Sequence, residues 1–223
     1  MKATGLALVF VLTTGITLAG CTAQESASPT SSPSPNDLAN AIEMTAARGT
    51  AAMDIEIRSP FEFLTGVGRT ALTSDRGQVT WSSDKTDDSI TELVNSDGLF
   101  TLIDDQWFQA PLGTVTPTSA AIQPLTGLNE LLTSPENTLV GTLPLTIESG
   151  LNFSEEELVN LPSECVREVS VSITTDQSGL ITTIQKDFTC TDNDRSSVTT
   201  LSGFGSPLDL SEPIDPIEVP GNQ

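Results

Sequence analysis

Three thiols and thirty carboxylates are the groups in this 223-residue chain that could do chemistry; it has no histidine and no tyrosine. Without imidazole there is no Ser-His-Asp triad and no histidine-ligated metal. There is no Gly-x-Ser-x-Gly elbow, and nothing in the spacing selects a working pair among the carboxylates. Asp192-Asn193-Asp194 lacks the rest of a calcium loop, and Asp84, Asp87 and Asp88 read as a solvated loop. Gly66-Val67-Gly68-Arg69-Thr70-Ala71 matches a dinucleotide fingerprint, but no helix follows it and no βαβ unit surrounds it, so these are strand glycines. The expectation is a non-enzyme with no catalytic residues, no metal and no cofactor.

The thiols divide into one and two. Cys21 ends the stretch Leu18-Ala19-Gly20-Cys21, behind an apolar run from Leu6 to Leu18 with Lys2 as its only charged neighbour. That run is too short to span a bilayer, which takes about 20 residues, and fits a cleaved signal. The pattern resembles the lipobox of bacterial lipoproteins. The resemblance implies a diacylglyceryl group on the Cys21 sulfur, cleavage after Gly20, and a chain held on the outer face of the bacterial cytoplasmic membrane. The alternative is an ordinary secretory signal with an incidental cysteine. Residues 21–36, rich in Ser, Pro and Thr, make a flexible tether with an end-to-end distance of roughly 20 Å.

Cys165 and Cys190 flank two alternating segments. Val169, Val171 and Ile173 share a face, as do Leu180, Ile184 and Phe188, with Asp176-Gln177-Ser178-Gly179 between them. A four-residue hairpin loop pairs Thr175 with Leu180, Val171 with Ile184, and Cys165 with Cys190. Directly opposed cysteines lie within disulfide reach, and an exported chain favours the oxidised pair. Two free buried thiols are the alternative.

The remaining elements follow from periodicity. Residues 37–48 read as a helix with Leu38, Ala41, Ile42, Thr45 and Ala46 on one stripe, started by Asn36 or Asp37 and ended by Gly49. Period two then takes over: Met53, Ile55 and Ile57 alternate with Asp54, Glu56 and Arg58. Phe61 to Leu72 reads as a strand bent or bulged at Gly66 and Gly68, Val79 and Trp81 share a face on the next, and a hairpin turns at Ser96-Asp97-Gly98. Residues 110–123 read as a connection and Pro124 to Leu132 as a short helix. Ser154 with Glu157 forms a capping box that starts another, with Phe153 and Leu158 as its staple. Residues 195–204 give a last strand, and residues 213–223 a Pro-rich tail. Helices beside an antiparallel sheet make an α+β fold.

The net charge of −21 excludes nucleic acid as a partner, which rewards Lys and Arg, and sets the chain against anionic lipid headgroups. Membrane association must then come from the lipid on Cys21. A monomer is expected.

The order of elements resembles the actinobacterial LppX/LprA/LprF/LprG lipoproteins, which share a LolA/LolB-like fold. The matching stretches are Ala46 to Thr50, Asp97-Gly98-Leu99-Phe100 with Trp107, Gly127 to Leu132, and Phe204 to Pro213. Phe100 stands where that family usually has tyrosine. The resemblance covers about residues 37–213, with the domain itself placed at 37–212, and implies a curved half-barrel antiparallel sheet with helices packed on its concave face. An apolar cavity between them would hold an acyl lipid or lipoglycan that the protein carries or presents. The second reading is an envelope interaction or sensor lipoprotein with a filled core, docking a transporter or cell-wall enzyme. The cavity-facing candidates are Met53, Ile55, Ile57, Val79 and Trp81; plain core is the competing reading for each.

Overall fold

A computed structural model of the chain describes residues 35–111, 113–131, 139–210 and 213–220. Residues 1–34, which hold the expected signal, Cys21 and nearly all of the tether, and Leu132 lie outside the described residues. Ser31–Gln223 form one compact unit.

The first element is helix α1, Pro35–Ala46. Proline suits a first turn because its missing N–H has no intrahelical partner there. Asn36 and Asp37 therefore fall inside the helix rather than capping it, and Asp37 carries its charge in the first turn, where the dipole favours it. The end comes at Ala46, not residue 48, because Arg48 and Gly49 donate to Thr45 and Ala46 in tighter three-residue turns. Gly49 reverses the chain at φ +79°.

Strands β1 (Thr50–Arg58), β2 (Phe63–Ala71), β3 (Gly77–Ser83), β4 (Ser89–Asn95), β5 (Gly98–Ile103) and β6 (Gln106–Gln109) run in sequence as neighbours. Asp104 and Asp105 both take positive φ, the geometry of a two-residue hairpin turn whose twist matches its strands. A covering segment follows, with helix α2 (Pro117–Ala121), a 3-10 turn at Leu128–Glu130, strand β7 (Leu139–Pro144), a 3-10 turn at Ile147–Ser149 and helix α3 (Glu155–Asn160). Strands β8 (Glu168–Thr175), β9 (Ile181–Phe188), β10 (Arg195–Ser202) and β11 (Ile217–Glu218) complete the chain. All eleven strands form one open sheet, in the order β11-β6-β5-β4-β3-β2-β1-β10-β9-β8-β7. Every pairing is antiparallel except that of β11 with β6. The α+β expectation holds at that level.

One face of the sheet carries the main core. Met53, Ile55, Ile57, Val79, Val169, Val171 and Ile184 form one buried cluster with Leu38 and Ala41 of α1 and Ile122, Leu128 and Phe153 of the covering segment. Thr45 ties α1 to β9: its hydroxyl accepts from the Ile181 N–H at 2.8 Å and donates to the Ala41 carbonyl at 2.6 Å. The other face holds a smaller cluster of Leu93, Phe100 and Trp107, against which Leu210 packs. No helix among the described residues is long and apolar enough to cross a membrane.

Several expectations are corrected. No register shift interrupts β2 opposite β1 or β3, so no bulge falls at Gly66 or Gly68. Of the stretch read as a helix from Pro124 to Leu132, residues 124–131 are described, and they form turns with one 3-10 segment. The stretch read as a connection contains α2, whose capping box links Thr116 and Ser119. The β8–β9 register differs by two residues from the expected one: Val171 faces Lys186, and Ile173 faces Ile184. An irregularity at Thr174/Thr175 and an Asp176 side chain accepting from the Ser178 and Leu180 N–H groups set that tighter closure. A shift of two keeps every side chain on its face. The cysteines are thus not ladder partners, since β8 begins at Glu168 and β9 ends at Phe188. They are bonded nonetheless, across the segments that enter β8 and leave β9, with Cα atoms 5.3 Å apart.

Candidate functional site

The five cavity candidates come together on the buried face. β1, β2 and β3 align Ile55 with Gly66 and Trp81, and Met53 with Gly68 and Val79. Each of the five is at most 4% exposed. The glycines between them are what lets them meet. A Cβ on Gly66 would lie 2.6 Å from the Trp81 ring and 2.8 Å from Val79. One on Gly68 would run into the backbone of Gln78 and Val79. The rings and methyls of β3 therefore fill the volume that side chains on β2 would otherwise occupy.

The clefts lie elsewhere. None of the four described is lined by any of the five residues. One, of about 350 Å³, opens between α1 and the segment after α2, with Ile42, Ala46, Leu72, Pro124 and Leu125 on its walls. Leu72 belongs to the main core, and Ile42 and Leu125 pack against it, so this cleft meets the core directly. A second, of about 390 Å³, shares Asp75, Gln123 and Thr126 with the first and extends to Val94, Leu99 and Glu148. A third, of about 690 Å³, lies at the opposite strand ends, between the β1–β2 and β9–β10 turns.

Buried charge is the feature that periodicity alone missed. Glu92 of β4 accepts from the Trp81 indole N–H at 3.0 Å and from the Thr116 hydroxyl at 3.3 Å. Burial pushes its carboxyl above the usual range, against the pull of hydrogen bonds from Thr118, Trp81 and Thr116. Arg195 of β10 lies over the Phe153 ring at 3.8 Å and donates to the Asn152 carbonyl and to Glu157. Burial pushes the Glu157 carboxyl upward, but the Ser154 N–H and Arg195 outweigh it and hold it below its ordinary value. Lys186 of β9 is 6% exposed and donates to the Ser149 carbonyl at 2.9 Å. Burial pushes its ammonium down to about 8. A signal was legible for two of them, because each charge interrupts an apolar alternation: Ile90-x-Glu92-x-Val94 and Ile184-x-Lys186-x-Phe188; Arg195, followed on its face by Ser197 and Thr199, carries no such signal.

The acidic loops are polar turns. Asp194 accepts from the Cys190 N–H at 2.8 Å and Asp84 from the Phe63 N–H at 2.9 Å. Among the described residues no cluster of three acidic or cysteine side chains is arranged to hold a metal. The arrangement as a whole offers hydrophobic surface and a few buried charges. No protein-family model matches the chain, and a search of curated proteins finds no match.

Proposed function

We propose that this chain is a lipid-anchored bacterial envelope protein of the LppX/LprG type, tethered through Cys21, that binds a hydrophobic ligand without covalent chemistry. In this reading the sheet curves as a half-barrel, and α1 and the covering segment lie across its concave side. The observation that supports it is the cleft of about 350 Å³ whose Ile42, Leu72 and Leu125 walls run into the core. Its volume is in the range of small-ligand sites, and its lining joins these apolar walls to polar groups that include Asp75, Gln123 and Asn129. The chain's negative charge is consistent with a carrier that relies on its anchor, not on a basic face, to stay at a membrane.

A second reading is favoured by the packing of Met53, Ile55, Ile57, Val79 and Trp81 against one another. If that interior stays closed, the domain is an interaction or sensor lipoprotein that docks a transporter or cell-wall enzyme.

The test is native mass spectrometry of residues 31–223, exported and purified from the host. Acyl lipid that co-purifies, and that the stripped protein takes up again, supports carriage. Repeated absence of lipid together with failure to take up a labelled one overturns carriage and leaves the docking reading.

A further inference from the structure

Two cations are buried on adjacent strands of the same face. By register Arg195 stands beside Phe188 and Lys186 beside Ser197, so the two are diagonal neighbours across β9 and β10. Their surroundings differ. Arg195 is answered by a carboxylate, a carbonyl and an aromatic face. Lys186 is answered by a single carbonyl, that of Ser149, and no carboxylate among the described residues forms an ion pair with it. Around it lie Val171 on β8 and two buried hydroxyl residues, Ser197 and Thr199, on β10.

Stability does not account for Lys186. An ammonium in an apolar interior is costly unless an opposite charge answers it, and an apolar residue of similar volume is commonly as stable or more so. One carbonyl uses one of its three donors. A buried cation beside hydroxyls and lacking a counter-ion is chemically a hydrogen-bond donor for a small anion. Ser149, whose carbonyl holds the Lys186 ammonium, follows Glu148 in the chain, and Glu148 lines the cleft of about 390 Å³.

We propose that Lys186 is the anchoring cation for the headgroup of an anionic amphiphile, a carboxylate at the end of an alkyl chain. The headgroup takes the place of the Ser149 carbonyl as acceptor, and the 147–150 turn gives way as it does so. This rests on the hydrophobic-ligand reading and narrows it to a chemical class.

The experiment measures binding of dodecanoate and of dodecanol to stripped residues 31–223 by titration calorimetry, with Lys186→Met and Lys186→Arg alongside. Dodecanoate is expected to bind roughly ten- to hundred-fold more tightly than dodecanol, the scale of one hydrogen bond to a charged group. Lys186→Met should melt at or above the wild-type temperature and bind the two probes equally; Lys186→Arg should recover part of the preference. Equal affinity of the wild type for both probes overturns the inference and leaves the hydrophobic-ligand reading standing. Binding of neither probe overturns both. A wild-type preference for dodecanoate that survives in Lys186→Met places the anion elsewhere and also overturns it.

Discussion

Strands β1 to β3 and strands β9 and β10 bury the same face of one sheet, yet they close it by different means. On the first side closure is a matter of shape. Ile55, Met53, Val79 and Trp81 pack over two glycines, and no charge enters until Glu92 on β4. On the second side the strands themselves bury Lys186, Arg195, Ser197 and Thr199. Closure there depends on the covering segment, which brings the Ser149 and Asn152 carbonyls, Glu157 and the Phe153 ring down onto them. Apolar packing at crystal-like density has no alternative partner to exchange with, whereas a buried cation can trade one acceptor for another. The first side reads as foundation; in the proposed function, the second is where a ligand is exchanged for part of the cover.

The comparison breaks most readily at Gly68. Its missing Cβ is occupied by strand backbone, which cannot rotate away as a side chain can. Gly68→Ala is expected to cost more than about 3 kcal/mol, beyond the ordinary range for an added methyl in a packed core. Urea unfolding followed by tryptophan fluorescence checks it, since Trp81 lies in that interior. A cost below 1 kcal/mol would mean that β2 and β3 can spread, and that the β1–β3 side is not the rigid one.

The second side is sharpened by the disulfide. Cys165–Cys190 fastens the exit of the covering segment to the β9–β10 turn, close in sequence to Arg195. Replacing both cysteines by serine is expected to cost about 2–3 kcal/mol, because the enclosed loop is short and the β8–β9 hairpin already limits it. The local effect should be unequal. Amide hydrogen exchange ought to quicken over residues 146–165 and remain slow over β1 to β3. Uniform quickening would mean that the cover is not a separate layer.

Alternation was enough to put Met53, Ile55, Ile57, Val79 and Trp81 on one face, because period two survives any even shift in register. The same insensitivity hid the true β8–β9 pairing: faces are fixed by parity, while the register itself is set by the Asp176 side chain and the irregularity at Thr174. The capping box at Ser154 and Glu157 was legible because its partners are three residues apart. α2 was not, since five residues carry too little of a helical period, although Thr116 and Ser119 are spaced as its cap. β7 escaped assignment because its role is to pair with β8, a partner about thirty residues away. Whether buried residues fill their space depends on the Trp81 ring lying over Gly66, a contact between strands that no single strand encodes.

The smallest expected effect tests Glu92, the one charge that borders the apolar side. Its carboxyl is raised by burial, so the fold favours the neutral acid relative to the unfolded chain. A raised carboxyl contributes stability that is complete below its ordinary range and is lost as pH rises through its folded value. Glu92→Gln keeps an acceptor for the Trp81 indole and supplies donors for the Thr116 and Thr118 hydroxyls, without a charge to desolvate. The variant is therefore expected to be more stable than wild type at pH 7, by on the order of 1 kcal/mol, the scale of one neutral hydrogen bond. The difference should shrink toward zero as pH falls to 4. Thermal unfolding at several pH values would measure it. A gain that does not change with pH would mean that Glu92 titrates no differently in the fold than in the unfolded chain. A loss at pH 7 would mean that the charged carboxylate is answered by its three hydrogen bonds, and that charge is accommodated on both sides of the sheet by the same means.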